Sequence, residues 1–189
     1  MLWLWILIGV AVLLAVFFVF GYNRLVRLRN EVNTGWSNID VQLQRRADLI
    51  PNLVETVRGY AAHERAVFDE VTRARAALQQ ASTPGSAADA NEGLTAAIGR
   101  LFAVAEAYPE LRASENFLQL QEDLTDTEDK ISAARRYYNA TVMHFNTAVQ
   151  SFPWLLLAKP FGFREREFFS AQGDVSVPQV AFPGGAPAS

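Results

Sequence analysis

Residues 2–24 read LWLWILIGVAVLLAVFFVFGYNR, with no charge before Arg24 and only Gly9 breaking the apolar run from Leu2 to Phe20. A run of about 20 apolar residues matches the hydrocarbon core of a bilayer, about 30 Å thick. A cleaved leader peptide is the competing explanation, and three features disfavour it. No Lys or Arg precedes the run, the run outlasts a usual leader core, and no small-x-small site follows Phe17-Phe18-Val19-Phe20-Gly21-Tyr22. All 17 basic residues lie beyond it, with Arg24, Arg27 and Arg29 immediately after. An excess of Lys and Arg stays on the cytoplasmic side, so the N-terminus is expected outside and the remaining chain inside. Trp3, Trp5 and Tyr22 suit the interfacial aromatic belts. Residues 1–22 therefore read as a single-pass anchor.

The rest of the chain has the make-up of one ordered domain. Of 189 residues, 50% are hydrophobic and 20% charged, which excludes a wholly disordered chain. Seventeen basic against 20 acidic residues give a net charge of −3, without the basic excess of a nucleic-acid binder. Zero cysteines remove disulfides, thiolate catalysis and Cys-based metal sites. The two histidines, His63 and His144, leave little material for metal or triad chemistry. His63-Glu64 lacks a second His four residues on, and neither His has a Glu three residues before it. No phosphate-binding glycine loop or GxSxG elbow is present. No cofactor is expected.

Between Tyr22 and Phe152 the apolar residues recur at steps of three and four, the mark of amphipathic helices. Four stripes are legible. They are Leu25–Leu43, Val54–Leu78, Leu94–Tyr108 closed by Pro109, and Phe117–Phe152 stopped by Pro153. Ser82-Thr83-Pro84-Gly85-Ser86 separates the second from the third. Helices with one apolar stripe and short links bury those stripes on each other. The predicted fold is all-α: a transmembrane helix, then an elongated antiparallel, up-and-down four-helix bundle over residues 23–152. Pro51 is the ambiguous point. A continuous helix from 23 to 82 would be about 90 Å long, more than the short third helix can cover. A turn at Arg46-Ala47-Asp48-Leu49 is therefore predicted, with Asp48 as cap and Pro51 in the next first turn.

Residues 153–170 form an aromatic, amphipathic segment too short and too interrupted to span a bilayer. If the four helices run up and down from the membrane, the fourth ends beside it. Trp154, Leu155, Leu156, Leu157 and Phe161 are then expected to meet lipid, with Lys159 and Arg164 at the headgroups. A flap closing the bundle end is the alternative. Residues 171–189 read as a flexible or extended tail, with alternating Val175 and Val177.

The polar candidates have structural readings beside functional ones. Arg45, Arg46 and Asp48 would clamp an anion at a helix start, or simply form a capped turn with its own ion pairs. Glu64, on the second stripe, is expected to pair across the bundle with Arg135. Asn139 and Asn146, seven residues apart on one helix face, are expected to set helix register.

Residues Trp36-Ser37-Asn38-Ile39-Asp40-Val41-Gln42-Leu43-Gln44-Arg45-Arg46-Ala47-Asp48-Leu49-Ile50-Pro51-Asn52-Leu53-Val54-Glu55-Thr56-Val57 resemble the signature of the LemA family. Tyr108-Pro109-Glu110-Leu111 and Tyr137-Tyr138-Asn139 resemble its later motifs, with Asn146 and Phe152-Pro153 at the expected offsets. At Glu128-Asp129-Lys130 the chain departs from the family pattern, which usually places Asn after Glu. The resemblance implies an anchored four-helix bundle at the bacterial inner membrane and no established catalysis. Relatives in magnetosome-forming bacteria are associated with internal membrane compartments. The expected function is a non-enzymatic scaffold that oligomerises or organises the inner membrane. Its partners would be the bilayer, other copies and membrane proteins, with no nucleic acid. A signalling adaptor is one alternative. Another is a ligand-binding or enzymatic bundle whose core polar site draws on Arg135, Tyr138 and Asn139.

Overall fold

A computed structural model describes residues 2–171. The predicted tail from 172 onward lies outside the described residues. The described residues are all-α, with six helices in the order α1 Leu2–Arg58, α2 Arg65–Gln80, α3 Pro84–Ala105, α4 Pro109–Arg112, α5 Glu115–Gln150 and α6 Leu155–Ala158.

The bilayer-length apolar run and the first bundle helix are one element. Helix α1 has 57 residues and would extend about 85 Å. Its first part is the one described helix long and apolar enough to cross a membrane, and that window is not buried by the rest of the chain. From Gly21 the character changes. Leu25, Val32, Ile39, Leu43, Ala47, Ile50, Leu53, Val54 and Val57 face the core at helical spacing. Burying each Leu or Ile contributes about 1.5–3 kcal/mol.

The predicted turn at Arg46–Leu49 is absent, because α1 continues through Pro51. Proline lacks the N–H that would bond the carbonyl four residues back, here Ala47. That buried carbonyl instead accepts Arg75 Nε of α2 at 2.8 Å. A side chain from another helix thus supplies the donor that Pro51 withholds. Asp48, far from capping a helix, is an exposed mid-helix residue that accepts from Gln44.

The reversal comes later, at Gly59–Glu64, so the second apolar stripe is divided between α1 (Val54, Val57) and α2 (Phe68, Val71, Leu78). Helix α3 starts ten residues before Leu94, the first apolar residue of the predicted stripe, because Ala87, Ala88 and Asn91 also face inward. Thr83 and Ser86 form its capping box, with Pro84 in the first turn. Ser114 caps α5 by accepting from Phe117 N–H.

Helices α1 and α5 make the dominant pair, and α2 and α3 form a shorter hairpin packed on the part of α1 farther from the apolar span. At Gly35 the α1 backbone approaches α5 closely: a Cβ would lie 3.3 Å from Tyr138 Cα. The hairpin covers one part of the α1/α5 pair. Toward the apolar span its place is taken by α6 and the irregular residues Phe163–Ala171, which return along α1 and α5.

Candidate functional site

Three polar or aromatic constellations occupy successive levels of this rod. At the level of α3, Arg46 sits on the apolar stripe of α1 and is almost fully buried. Its Nη1 donates to Asn91 Oδ1 at 2.6 Å, its Nη2 donates to Thr95 Oγ1 at 3.0 Å, and Nη1 lies 2.5 Å from Glu128 Oε2. One guanidinium thereby joins α1, α3 and α5. Burial pulls its pKa below the ordinary value, and Glu128 opposes that shift. Arg46 Nε and Gln42 Oε1, one turn earlier, are buried without hydrogen-bond partners among the described residues. Arg45 lies outside this node and pairs with exposed Asp126 at 3.5 Å. The Lys130 hydrogen bond is the main cause of a lowered Asp126 pKa; the Lys130 and Arg45 charges add to it, and desolvation opposes it.

Neither the capped turn nor the anion clamp considered for Arg45, Arg46 and Asp48 is assembled: the three lie in mid-helix and point to different neighbours. Glu64 stands at the start of α2, beyond the far end of α1, while Arg135 is exposed midway along α5. No ion pair joins them among the described residues. Nor do three His, Asp or Glu side chains converge there as a metal site. Sequence reasoning missed Asn91, Thr95 and Glu128. The available signal was Arg46 itself, in step with Ile39, Leu43, Ile50 and Leu53, since a cation on an apolar stripe requires partners.

Nearer the span, Asn139 and Asn146 have a role other than helix register. Asn139 Nδ2 donates to Phe169 O at 3.1 Å, and Phe169 N–H donates to Asn139 Oδ1 at 2.9 Å. Asn146 treats Arg166 identically, at 2.9 and 2.8 Å. Seven helical residues rise about 10.5 Å, and three residues of extended chain cover about 10 Å, so the two amides match the returning backbone in register. Tyr138 O–H donates to Glu167 O at 2.8 Å between them. Desolvation raises the Tyr138 pKa to about 12; the Arg166 charge opposes the rise and that of Glu167 adds to it. Phe169 is buried beside Trp36, with ring centroids 6.4 Å apart. Glu167 reaches the first turn of α3, into space left by the missing Cβ of Gly85. Tyr138 and Asn139 are thus committed to this strap rather than to a ligand site in the bundle core.

At the mouth of the apolar span, α6 packs on α1. Leu157 is buried against Gly21, where a Cβ would come 2.6 Å from Trp154 Cζ3 and overlap Leu157. Trp154 stacks on Phe17 at 5.5 Å, with the Arg24 guanidinium 5.3 Å from its ring. Tyr22 contacts Phe161 and Phe163, and Arg29 lies over Phe163. The expected lipid-facing set is therefore divided. Leu157 is a packing residue and Trp154 is half-buried, whereas Leu155, Leu156, Phe161, Lys159 and Arg164 are exposed. Phe152, counted with the fourth helix from its spacing, is 79% exposed and lies just beyond α5.

An apolar span continuous with a long helix, and a returning segment packed at the span's mouth, define a membrane-associated helical-bundle class. The chain matches the LemA family over residues 35–182 and belongs to it. It is 28% identical over 189 residues to the magnetosome protein MamQ of Magnetospirillum gryphiswaldense, covering 84% of this chain and 70% of that one. It is similar to magnetosome protein MamQ 2 of Paramagnetospirillum magneticum, 28% identical with 82% and 68% covered. Protein LemA of Metamycoplasma hominis is 28% identical over 131 residues, with 69% of this chain and 60% of that protein covered.

Proposed function

We propose that this chain is a non-enzymatic scaffold, anchored once in the bacterial inner membrane with its N-terminus outside and its bundle in the cytoplasm. It assembles laterally with further copies or membrane proteins and organises the bilayer around them. The observation that carries this reading is the unbroken passage of α1 from the apolar span into the bundle. A bundle so joined cannot swing freely on a linker; it stands off the surface as a stiff post. Anchoring also confines copies to two dimensions, which raises their effective concentration for association. The kinship with magnetosome proteins supports a membrane-organising role. Arg24, Arg27 and Arg29 support the orientation.

The collar around α6 gives the post a second hold on the membrane. Exposed Phe152, Leu156 and Phe161 dip into the interface while Lys159 and Arg164 remain hydrated among anionic headgroups. Copy number in native membrane discs tests the scaffold. Discs holding several copies, or one copy with a reproducible partner, are expected; solitary chains without partners would overturn the assignment. An environment-sensitive dye on Leu156→Cys tests the collar, with blue-shifted emission quenched by brominated lipid expected. Water-like emission there would remove the lipid role. Protease added outside intact spheroplasts should leave the bundle uncut, and cleavage would reverse the orientation.

A further inference from the structure

The strap is held by chemistry that does not depend on which chain it belongs to. Asn139 and Asn146 read only the N–H and C=O groups of Phe169 and Arg166, and Tyr138 reads only the carbonyl of Glu167. The side chains of Arg164, Glu165, Arg166, Glu167 and Phe168 are exposed, and the strap is fixed mainly by the buried rings Phe163 and Phe169. It crosses the outside of the rod and can leave without parting α1 from α5. Immediately before it, Gly162 has a φ of 72°, a backbone state that suits a hinge and disfavours other residues.

We propose that residues 163–171 exchange between neighbouring anchored copies, the strap of one seating in the Asn139/Asn146 groove of the next. The occupant is a second copy of this chain, because the groove is already shown to fit this segment in main-chain register, with Phe169 beside Trp36 and Glu167 in the space at Gly85. The contacts are the same within and between chains. Their partition is therefore set by the hinge and by local concentration, the usual terms of domain swapping. Copies standing side by side on one membrane have parallel grooves at the same height, so the exchanged strap needs no rise or fall relative to the bilayer. The inference rests on the scaffold reading and names the surface through which copies join.

The natural absence of cysteine makes the test direct. Arg166 Nη2 lies 3.5 Å from Asn33 Oδ1, so cysteines at these positions report strap seating without altering the main-chain contacts. Full-length R166C and N33C chains, co-expressed and treated with a short bis-maleimide in native membranes, can join only between copies. The expected yield is severalfold above that of R166C with E92C, which carries its cysteine on the exposed side of α3. It should fall severalfold when the N33C chain also carries N139A and N146A. A synthetic peptide of residues 163–171 should compete it away, and this arm holds even if the double Asn variant loses helicity. A yield no higher than the E92C control, while an N33C/R166C chain links within itself, overturns strap exchange. So does a yield unaffected by N139A/N146A in a chain of unchanged helicity, or by the peptide. Discs that still hold several copies in those cases leave the scaffold standing and the exchange refuted; solitary chains refute both.

Discussion

Replacing Arg75 by Met should destabilise the bundle by about 2 kcal/mol, and the loss should nearly vanish when Pro51 is replaced by Ala. Ala47 O is buried in α1 and lacks a helical donor because residue 51 is proline. A hydrogen bond from a charged donor contributes about 1.5–3 kcal/mol net, and an orphaned buried carbonyl costs about 1–3 kcal/mol. These describe one event from two sides and are not added. Methionine retains most of the half-buried aliphatic stem, so the loss is chiefly that of the bond. In P51A the residue-51 N–H can donate to Ala47 O, and R75M should then cost less than about 0.5 kcal/mol. Urea unfolding of the full chain in detergent, followed by far-UV circular dichroism, measures all four members of this cycle. Equal costs of R75M in both backgrounds would refute the claim that Arg75 substitutes for the proline's missing donor.

Arg46→Ala should cost about 3 kcal/mol, from two lost hydrogen bonds and the buried stem, whereas Arg46→Met should cost clearly less because the stem remains. The same urea transitions give both values; a near-zero loss in Arg46→Met would mean that the polar node contributes nothing beyond packing. Gly21→Leu should displace α6, since the new side chain overlaps Leu157 and Trp154, and a dye on Leu156→Cys should report the change. An unchanged spectrum would refute the packing of α6 on α1. Tyr138 is neutral in the fold up to about pH 12 but ionises in the unfolded chain near pH 10. Its contribution is therefore fully present below about pH 10 and lost as pH rises from about 10 to about 12. An ultraviolet alkaline titration should show a phenol ionising near pH 12 that Tyr138→Phe abolishes, and a high-pH step left unchanged by that substitution would contradict the burial.

The parts legible in the sequence are those encoded locally. The apolar run, the basic flank and the helical stripes each declare themselves within a few turns. Pro51 misleads because its compensation is distant: Arg75 lies 28 residues beyond Ala47, and no local pattern links them. The true reversal after Arg58 carries only Gly59 as a turn residue among Tyr60, Ala61, Ala62 and His63, so the stripe runs through it unbroken. The start of α3 escapes for the opposite reason, since its inward face is Ala87, Ala88 and Asn91 rather than large apolar residues. Asn139 and Asn146 stand out by spacing, but their ligand is backbone, which any sequence supplies. Their true role needed the third dimension. Return of the fourth helix to the span followed from four antiparallel passes, and those passes survive with the reversal moved from Asp48 to Gly59–Glu64.

A stiff anchored post requires α1 to be one helix from the apolar span to the far end of the bundle. Spin labels on Arg27→Cys and Glu55→Cys, both exposed and in a chain without native cysteine, measure this by pulsed electron resonance in membrane discs. A continuous helix places the two backbones about 42 Å apart. A reversal near Asp48 would bring them to about 23 Å, the rise remaining after seven residues return plus one interhelical spacing. A distance near the longer value supports an upright post continuous with its anchor; one near the shorter value contradicts it.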